Sequence, residues 1–344
     1  MLPRIYFVMG SGGVGKSTYS AALAAKIAKE QPSERVLLIT IDPARRLASS
    51  MGITAQGNDI VEVALPSGAV FAVSMLDAAD AWDSLIRRIA PDEPTAERVL
   101  SNGLYRNITG RFVNSHDYIA IERLWELAQS QAFDAIVVDT PPSRNALSVL
   151  DASERMRDFF ASRLLRWLTI PATNRVVAVT SKPFFALADR VLGARFLQDI
   201  SEFFGLFRTM EPAFTSHAGD VQQMLHSEST TFVVVTTSSP APAAEAEFLA
   251  DALRERGLHL GSMVLNRAVD PAVVDEASEA RSSDLSPALM GLVRSVLNDV
   301  GREESVMKSL ADRHTVRVER ITEARSPVTD VAGVAGLAES IAMP

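Results

Sequence analysis

The run Gly10-Ser11-Gly12-Gly13-Val14-Gly15-Lys16-Ser17-Thr18 carries the densest chemical signal in the chain. Its glycines let the backbone curl so that successive N–H groups point into one concavity, a shape that receives an anion. Lys16 offers a cation to the β- and γ-phosphates of a nucleotide, and the Ser17 hydroxyl is a ligand for Mg²⁺. A helix starting here adds the positive end of its dipole to the same anion. The plain alternative is a glycine-rich turn. It is disfavoured by the apolar run Ile5-Tyr6-Phe7-Val8-Met9 in front and the helical pattern from Ser17 to Lys29 behind, the strand–loop–helix context a phosphate loop needs.

Two aspartates close further apolar runs. Asp42 stands in Ile39-Thr40-Ile41-Asp42-Pro43-Ala44-Arg45-Arg46-Leu47, and its spacing leaves two readings level. It caps a helix with Pro43 at the first helical position; or, if its strand lies beside the first, it orients the water that attacks the γ-phosphate. Asp139 closes Ala135-Ile136-Val137-Val138 and precedes Thr140-Pro141-Pro142-Ser143-Arg144-Asn145. An apolar strand ending in Asp is the Walker B pattern, whose carboxylate holds Mg²⁺, and coupling to the glycine loop favours that reading over an ordinary strand end. The Pro-Pro pair stiffens the exit. Asn266-Arg267 follow Ser262-Met263-Val264-Leu265. A turn role for Asn266 is favoured, and the bidentate fit of its amide to the N6/N7 edge of adenine is the alternative.

These residues need a scaffold that brings strand ends together. The runs at 5–9, 36–41, 135–138, 232–235 and 262–265 show little polar alternation, as expected for strands covered on both faces, and helix-compatible stretches such as Ser17 to Lys29 and Ala241 to Arg256 separate them. The pattern predicts an α/β P-loop NTPase with a mostly parallel sheet flanked by helices. It also predicts a single domain over 1–344 with helical insertions at about 77–130 and 151–227, and Val176-Val177-Ala178-Val179 as a candidate short strand.

With 344 residues, 47% hydrophobic and 22% charged, the chain can bury a large core. A net charge of -8 leaves no footprint for nucleic acid. The absence of cysteine removes disulfides, thiolate nucleophiles and thiolate metal sites. No secretory pattern opens the sequence, and no apolar stretch approaches the ~20 residues that span a bilayer, so a cytoplasmic protein is expected. The five histidines show no metal-ligand spacing, and Trp82, Trp125 and Trp167 read as packing residues.

Phenylalanine is concentrated between Phe159 and Phe214. Phe196, Ile200, Phe203, Phe204 and Phe207 share one helix face. The favoured reading is a helical core; the alternative is a groove for an apolar client helix.

Together these stretches resemble the arsenical-pump and guided-entry ATPases, a deviant Walker branch of the P-loop proteins. The resemblance spans most of the chain and rests on GSGGVGKST at 10–18, IDPARRLA at 41–48, VVDTPPSRNAL at 137–147, VLNR at 264–267 and Pro327. It implies ATP or ADP with Mg²⁺, held by residues 10–18 with Ser17 and Asp139 at the metal, and catalysis by Lys16 and Asp42. Asp42 and Pro43 would form switch I; Asp139, Thr140, Pro141, Pro142 and Ser143 would belong to switch II; Asn266, Arg267 and Pro327 would frame adenine. It further implies a dimeric switch, either a homodimer or a heteromer with a paralogous ATPase, that handles an apolar or membrane-protein client. Within that family the sequence resembles the bacterial guided-entry-like paralogues.

Three departures qualify that picture. Ser11 stands where such proteins usually carry a lysine that reaches the partner's phosphates. Slow hydrolysis, replacement by Arg45, Arg46 or Arg144, or pairing with a lysine-bearing paralogue would each follow, as would an alternative role as a weakly active scaffold regulating that paralogue. The missing cysteines imply a zinc-free interface and no soft site for arsenite. Ser239-Pro240 replaces the usual acidic contact to the nucleoside.

Overall fold

The computed structural model describes residues 2–42, 51, 58–108, 115–162, 194–280, 286–324 and 326–344. Pro43, Arg45, Arg46 and the candidate strand at 176–179 lie outside these residues, as do the side chains of Ser143, Arg144, Phe196 and Ile200. The chain forms two compact units, one of residues 1–76, 126–147 and 224–344, the other of 77–125 and 148–223.

The first unit is built on an eight-stranded sheet. Its strands are β1 (Arg4–Gly10), β2 (Val36–Thr40), β3 (Ile60–Ala64), β4 (Val70–Met75), β5 (Ala135–Asp139), β6 (Thr230–Thr236), β7 (Leu260–Ala268) and β8 (Arg317–Thr322). Their order is β3-β4-β2-β5-β1-β6-β7-β8. Every pairing is parallel except that of β3 with β4. The five apolar runs read from the sequence are β1, β2, β5, β6 and β7, and β2 and β5 are buried at every position.

Three strands were not among those runs, although β4 carries the apolar stretch Val70-Phe71-Ala72-Val73 and is buried from Phe71 on. β3 and β8 are largely accessible edge strands, so their sequences alternate or mix polar residues. β3 and β4 form a hairpin closed by a hydrogen bond from Leu65 N–H to the Ala69 carbonyl at 2.8 Å, with Gly68 at φ 87°. Only glycine adopts that left-handed backbone without cost.

Helix α1 (Lys16–Glu30) follows β1. Ala21, Ala22, Ala24 and Ala25 are fully buried, so small side chains let the helix lie close to its neighbours while Leu23 and Ile27 fill the core.

The second unit is helical. Its helix Ala78–Ile89 is capped by Asp77, whose carboxylate accepts from the N–H groups of Ala79 at 3.0 Å and Asp80 at 3.2 Å. Phe203 and Phe207 are 4% and 7% exposed and lie in the interior, with Phe207 stacked on Phe160 at 5.3 Å and packed on Phe214 at 5.0 Å. For these two rings the core reading holds and the groove reading is corrected, because each is enclosed by rings of its own unit. Glu122 is also buried there, accepting from Arg88 at 3.0 Å and Tyr118 at 3.1 Å, with His217 Nδ1 at 2.7 Å.

Candidate functional site

The glycine loop occupies the turn from β1 into α1, and its geometry explains its composition. Gly10, Gly13 and Gly15 have φ of 152°, 79° and 93°. A Cβ on Gly10 would meet the Val235 carbonyl oxygen at 2.2 Å, and one on Gly15 would meet Asn266 Nδ2 at 2.3 Å. Gly10 therefore excludes a side chain on steric as well as conformational grounds, and Gly15 on conformational grounds, with the Asn266 amide filling the space a Cβ would take. Lys16 is the first residue of α1 and only 6% exposed; its ammonium donates to the Ser11 carbonyl at 2.8 Å. The cation thus lies across the loop.

Register places the carboxylate. Asp139 ends β5 and is paired with Val8 of β1 on one side and Thr40 of β2 on the other. It is 1% exposed, its Oδ2 accepts from Thr40 Oγ1 at 3.2 Å, and its Oδ1 has no hydrogen-bond partner within the protein. Burial pushes its pKa up to about 6, opposed by the neighbouring Ser17 hydroxyl, the nearby Lys16 cation and the Thr40 bond. Next in sequence, Thr140 donates from Oγ1 to the Val8 carbonyl at 2.8 Å, tying the exit of β5 to β1. Pro141 is buried and Pro142 half-buried behind it.

Asp42 lies two residues beyond the end of β2, half-buried, with its N–H donating to Thr40 Oγ1 at 3.3 Å. The strand preceding it is not beside β1 as the water-orienting reading required; β5 stands between them. Because β1, β5 and β2 are parallel, their carboxyl ends nevertheless open at one sheet edge, where open α/β sheets receive ligands.

The other half of the site lies beyond β6. Asn266, near the end of β7, donates from Nδ2 to the Val14 carbonyl at 2.8 Å and so braces the glycine loop directly. Arg267 has φ 58° at the point where the pairing of β7 with β8 shifts register. With Ser238, Ser239, Glu303 and Glu323 it lines a cavity of about 760 Å³. Pro327 is exposed and outside that lining. Thr40, Val235 and Arg320 were not among the residues expected here, and Glu303, in the charged run Arg302-Glu303-Glu304 that reads as a solvated helix face, is instead buried and paired with Arg320 beside β7. For Thr40 a signal existed: a hydroxyl inside an apolar run, two residues before Asp42 and so on the same side of an extended chain.

A mostly parallel sheet whose first strand runs through a glycine-rich loop with an inward lysine into a helix, beside a buried strand-end aspartate, defines a P-loop nucleoside triphosphatase. More narrowly, the chain belongs to the anion-transporting ATPase family, whose model matches residues 3–289, and it is an ATP-hydrolysing enzyme. It is 23% identical over 268 residues to an "ATPase ASNA1 homolog" of Entamoeba dispar, covering 76% of this chain and 75% of that protein. A protein of Aquifex aeolicus named as an arsenical pump-driving ATPase is 22% identical over 287 residues, 81% of this chain and 84% of its own. The "ATPase GET3" of Kluyveromyces lactis is 26% identical over 162 residues, 43% of this chain and 44% of that protein. Among the described residues no helix is long and apolar enough to cross a membrane.

Proposed function

We propose that the chain is a Mg²⁺-dependent, nucleotide-gated switch that works as a dimer and couples its nucleotide state to an apolar or membrane-protein client. The observation that carries this reading is the buried, unpartnered Oδ1 of Asp139 beside Ser17 at the foot of the glycine loop. A hard divalent cation takes oxygen ligands, and a carboxylate with an open oxygen next to a hydroxyl fits it. Ser17 and Asp139 would hold the ion. When bound, it would neutralise charge on the β- and γ-phosphates.

The chain's own groups do the rest. Residues 10–18 wrap the phosphates with N–H groups, and Lys16 exchanges the Ser11 carbonyl for phosphate oxygen. Asp42, at the same sheet edge, orients the attacking water, a positioning role suited to a transfer governed by geometry and electrostatics. Asn266 and Arg267 flank the base, while Asp42 and the segment from Asp139 to Ser143 respond to the γ-phosphate. Dimerisation and client handling follow from the resemblance to the guided-entry ATPases, and the family match together with relatives named as ATPases supports the nucleotide part of the reading.

Calorimetry with ATP and Mg²⁺ tests the reading, and absence of binding by folded protein would sink it. Asp42→Asn is expected to bind ATP as before and to hydrolyse it at least about a hundredfold more slowly. Unchanged turnover would remove Asp42 from the chemistry.

A second reading, a weakly active scaffold for a paralogous ATPase, is favoured by Ser11, whose hydroxyl is buried without a partner and supplies no cation. Turnover measured alone, with the paralogue, and in Ser11→Lys separates the two.

A further inference from the structure

We propose that Thr40 is a positioning residue that links the metal-binding carboxylate to the water-orienting segment; this rests on the roles given above to Asp139 and Asp42. The side chain is 2% exposed at the last position of β2, directly paired in register with Asp139. Its hydroxyl sits between two groups, with Asp42 N at 3.3 Å and Asp139 Oδ2 at 3.2 Å.

The chemistry of those groups orders the bonds. A backbone N–H only donates, so the hydroxyl oxygen accepts from Asp42. The hydroxyl's one proton is then directed to Asp139, whose ionised carboxylate only accepts. The result is a one-way chain from Asp42 N–H through Thr40 O–H to Asp139. Bonds in such a chain polarise one another in a buried setting.

The backbone makes the link more pointed. Ile41 N–H donates at 3.0 Å to the main-chain carbonyl of Asp139, and the next N–H, that of Asp42, reaches the same residue's side chain through Thr40. Both amides that follow β2 are therefore referred to Asp139. A change in the carboxylate's orientation on taking up a cation draws on the Thr40 proton and shifts the anchor of Asp42. Valine has the shape of threonine and neither bond; serine keeps both.

The experiment measures the affinity of a fluorescent ATP analogue in Mg²⁺ and in EDTA, together with kcat and the Mg²⁺ concentration for half-maximal turnover, for wild type, Thr40→Val, Thr40→Ser and Asp139→Asn. The expected result is that Thr40→Val binds the analogue normally in EDTA, loses about tenfold of the Mg²⁺-dependent gain in affinity, and needs correspondingly more Mg²⁺ for turnover. Thr40→Ser should restore wild-type behaviour. If Thr40→Val does not fold, Thr40→Ala carries the same comparison. A Mg²⁺ response in Thr40→Val equal to that of wild type overturns the proposal, as does a Thr40→Ser defect equal to that of Val. A wild-type affinity indifferent to Mg²⁺ and to Asp139→Asn instead overturns the metal reading beneath it.

Discussion

The side-chain amide of Asn266 donates a 2.8 Å hydrogen bond to the carbonyl of Val14, so the end of β7 holds the glycine loop in place. Gly15 has no Cβ in the space that amide occupies. Asn266→Ala should lower stability by about 1 kcal/mol in urea unfolding and weaken nucleotide binding several-fold. Asn266→Asp, which sets a carboxylate against a carbonyl, should do more damage than Ala on both measures. Binding unaffected by either change would mean that the loop holds its shape unaided.

Asp139 stores an electrostatic cost in the nucleotide-free protein. Its pKa of about 6 lies above the ordinary carboxylate value near 3.8, so the folded state binds the proton more tightly than the unfolded one. Below about pH 4 both states are protonated and the cost is absent; it grows as pH rises and is complete above pH 6. In EDTA without nucleotide, Asp139→Asn is therefore expected to stabilise the chain at pH 7.5 by about 2–3 kcal/mol, with the gain shrinking to nothing by pH 4. Denaturation curves across that range check the sign.

Phe203 packs against Phe207 at 5.4 Å and Tyr105 at 6.5 Å inside the helical unit. Phe203→Ala should cost about 3–5 kcal/mol, whereas the half-exposed Phe204 should cost much less on the same change. If Phe203→Asp folded normally and lost only client capture, the interior assignment would be wrong.

Glu303 is buried, and its carboxylate accepts from Arg320 at 2.9 Å and from Val269 N–H at 2.9 Å, while Arg320 also donates to the Val269 carbonyl at 2.8 Å. The pair secures the backbone just past Arg267. Removing one partner strands the other charge, so Arg320→Met alone should destabilise by about 3 kcal/mol and Arg320→Met with Glu303→Leu by clearly less. A loss in the double variant equal to the sum of the losses in Arg320→Met and Glu303→Leu would show the pair to be uncoupled.

Much of the site was legible because its demands are local. The loop at 10–18 needs glycine at fixed positions and a lysine at the start of a helix, and both conditions appear as letters in a row. The central strands β1, β2, β5, β6 and β7 were legible for a related reason: burial on both faces leaves uninterrupted apolar runs. β3 and β8 escaped because edge strands carry polar residues, and β4 was not read although its run Val70-Phe71-Ala72-Val73 is apolar and buried from Phe71 on.

The sequence alone determined the anion-cradling loop, the strand-ending aspartates and the class of chemistry, since each is written in residue types and short spacings. Tertiary structure alone decided that β5 separates β1 from β2, that Thr40 faces Asp139, that Asn266 braces Val14, and that Phe203 and Phe207 lie inside. Those facts depend on which distant segments become neighbours in the sheet and the helical core. Strand order and register are set by the packing of the whole chain, and no local stretch of letters records them.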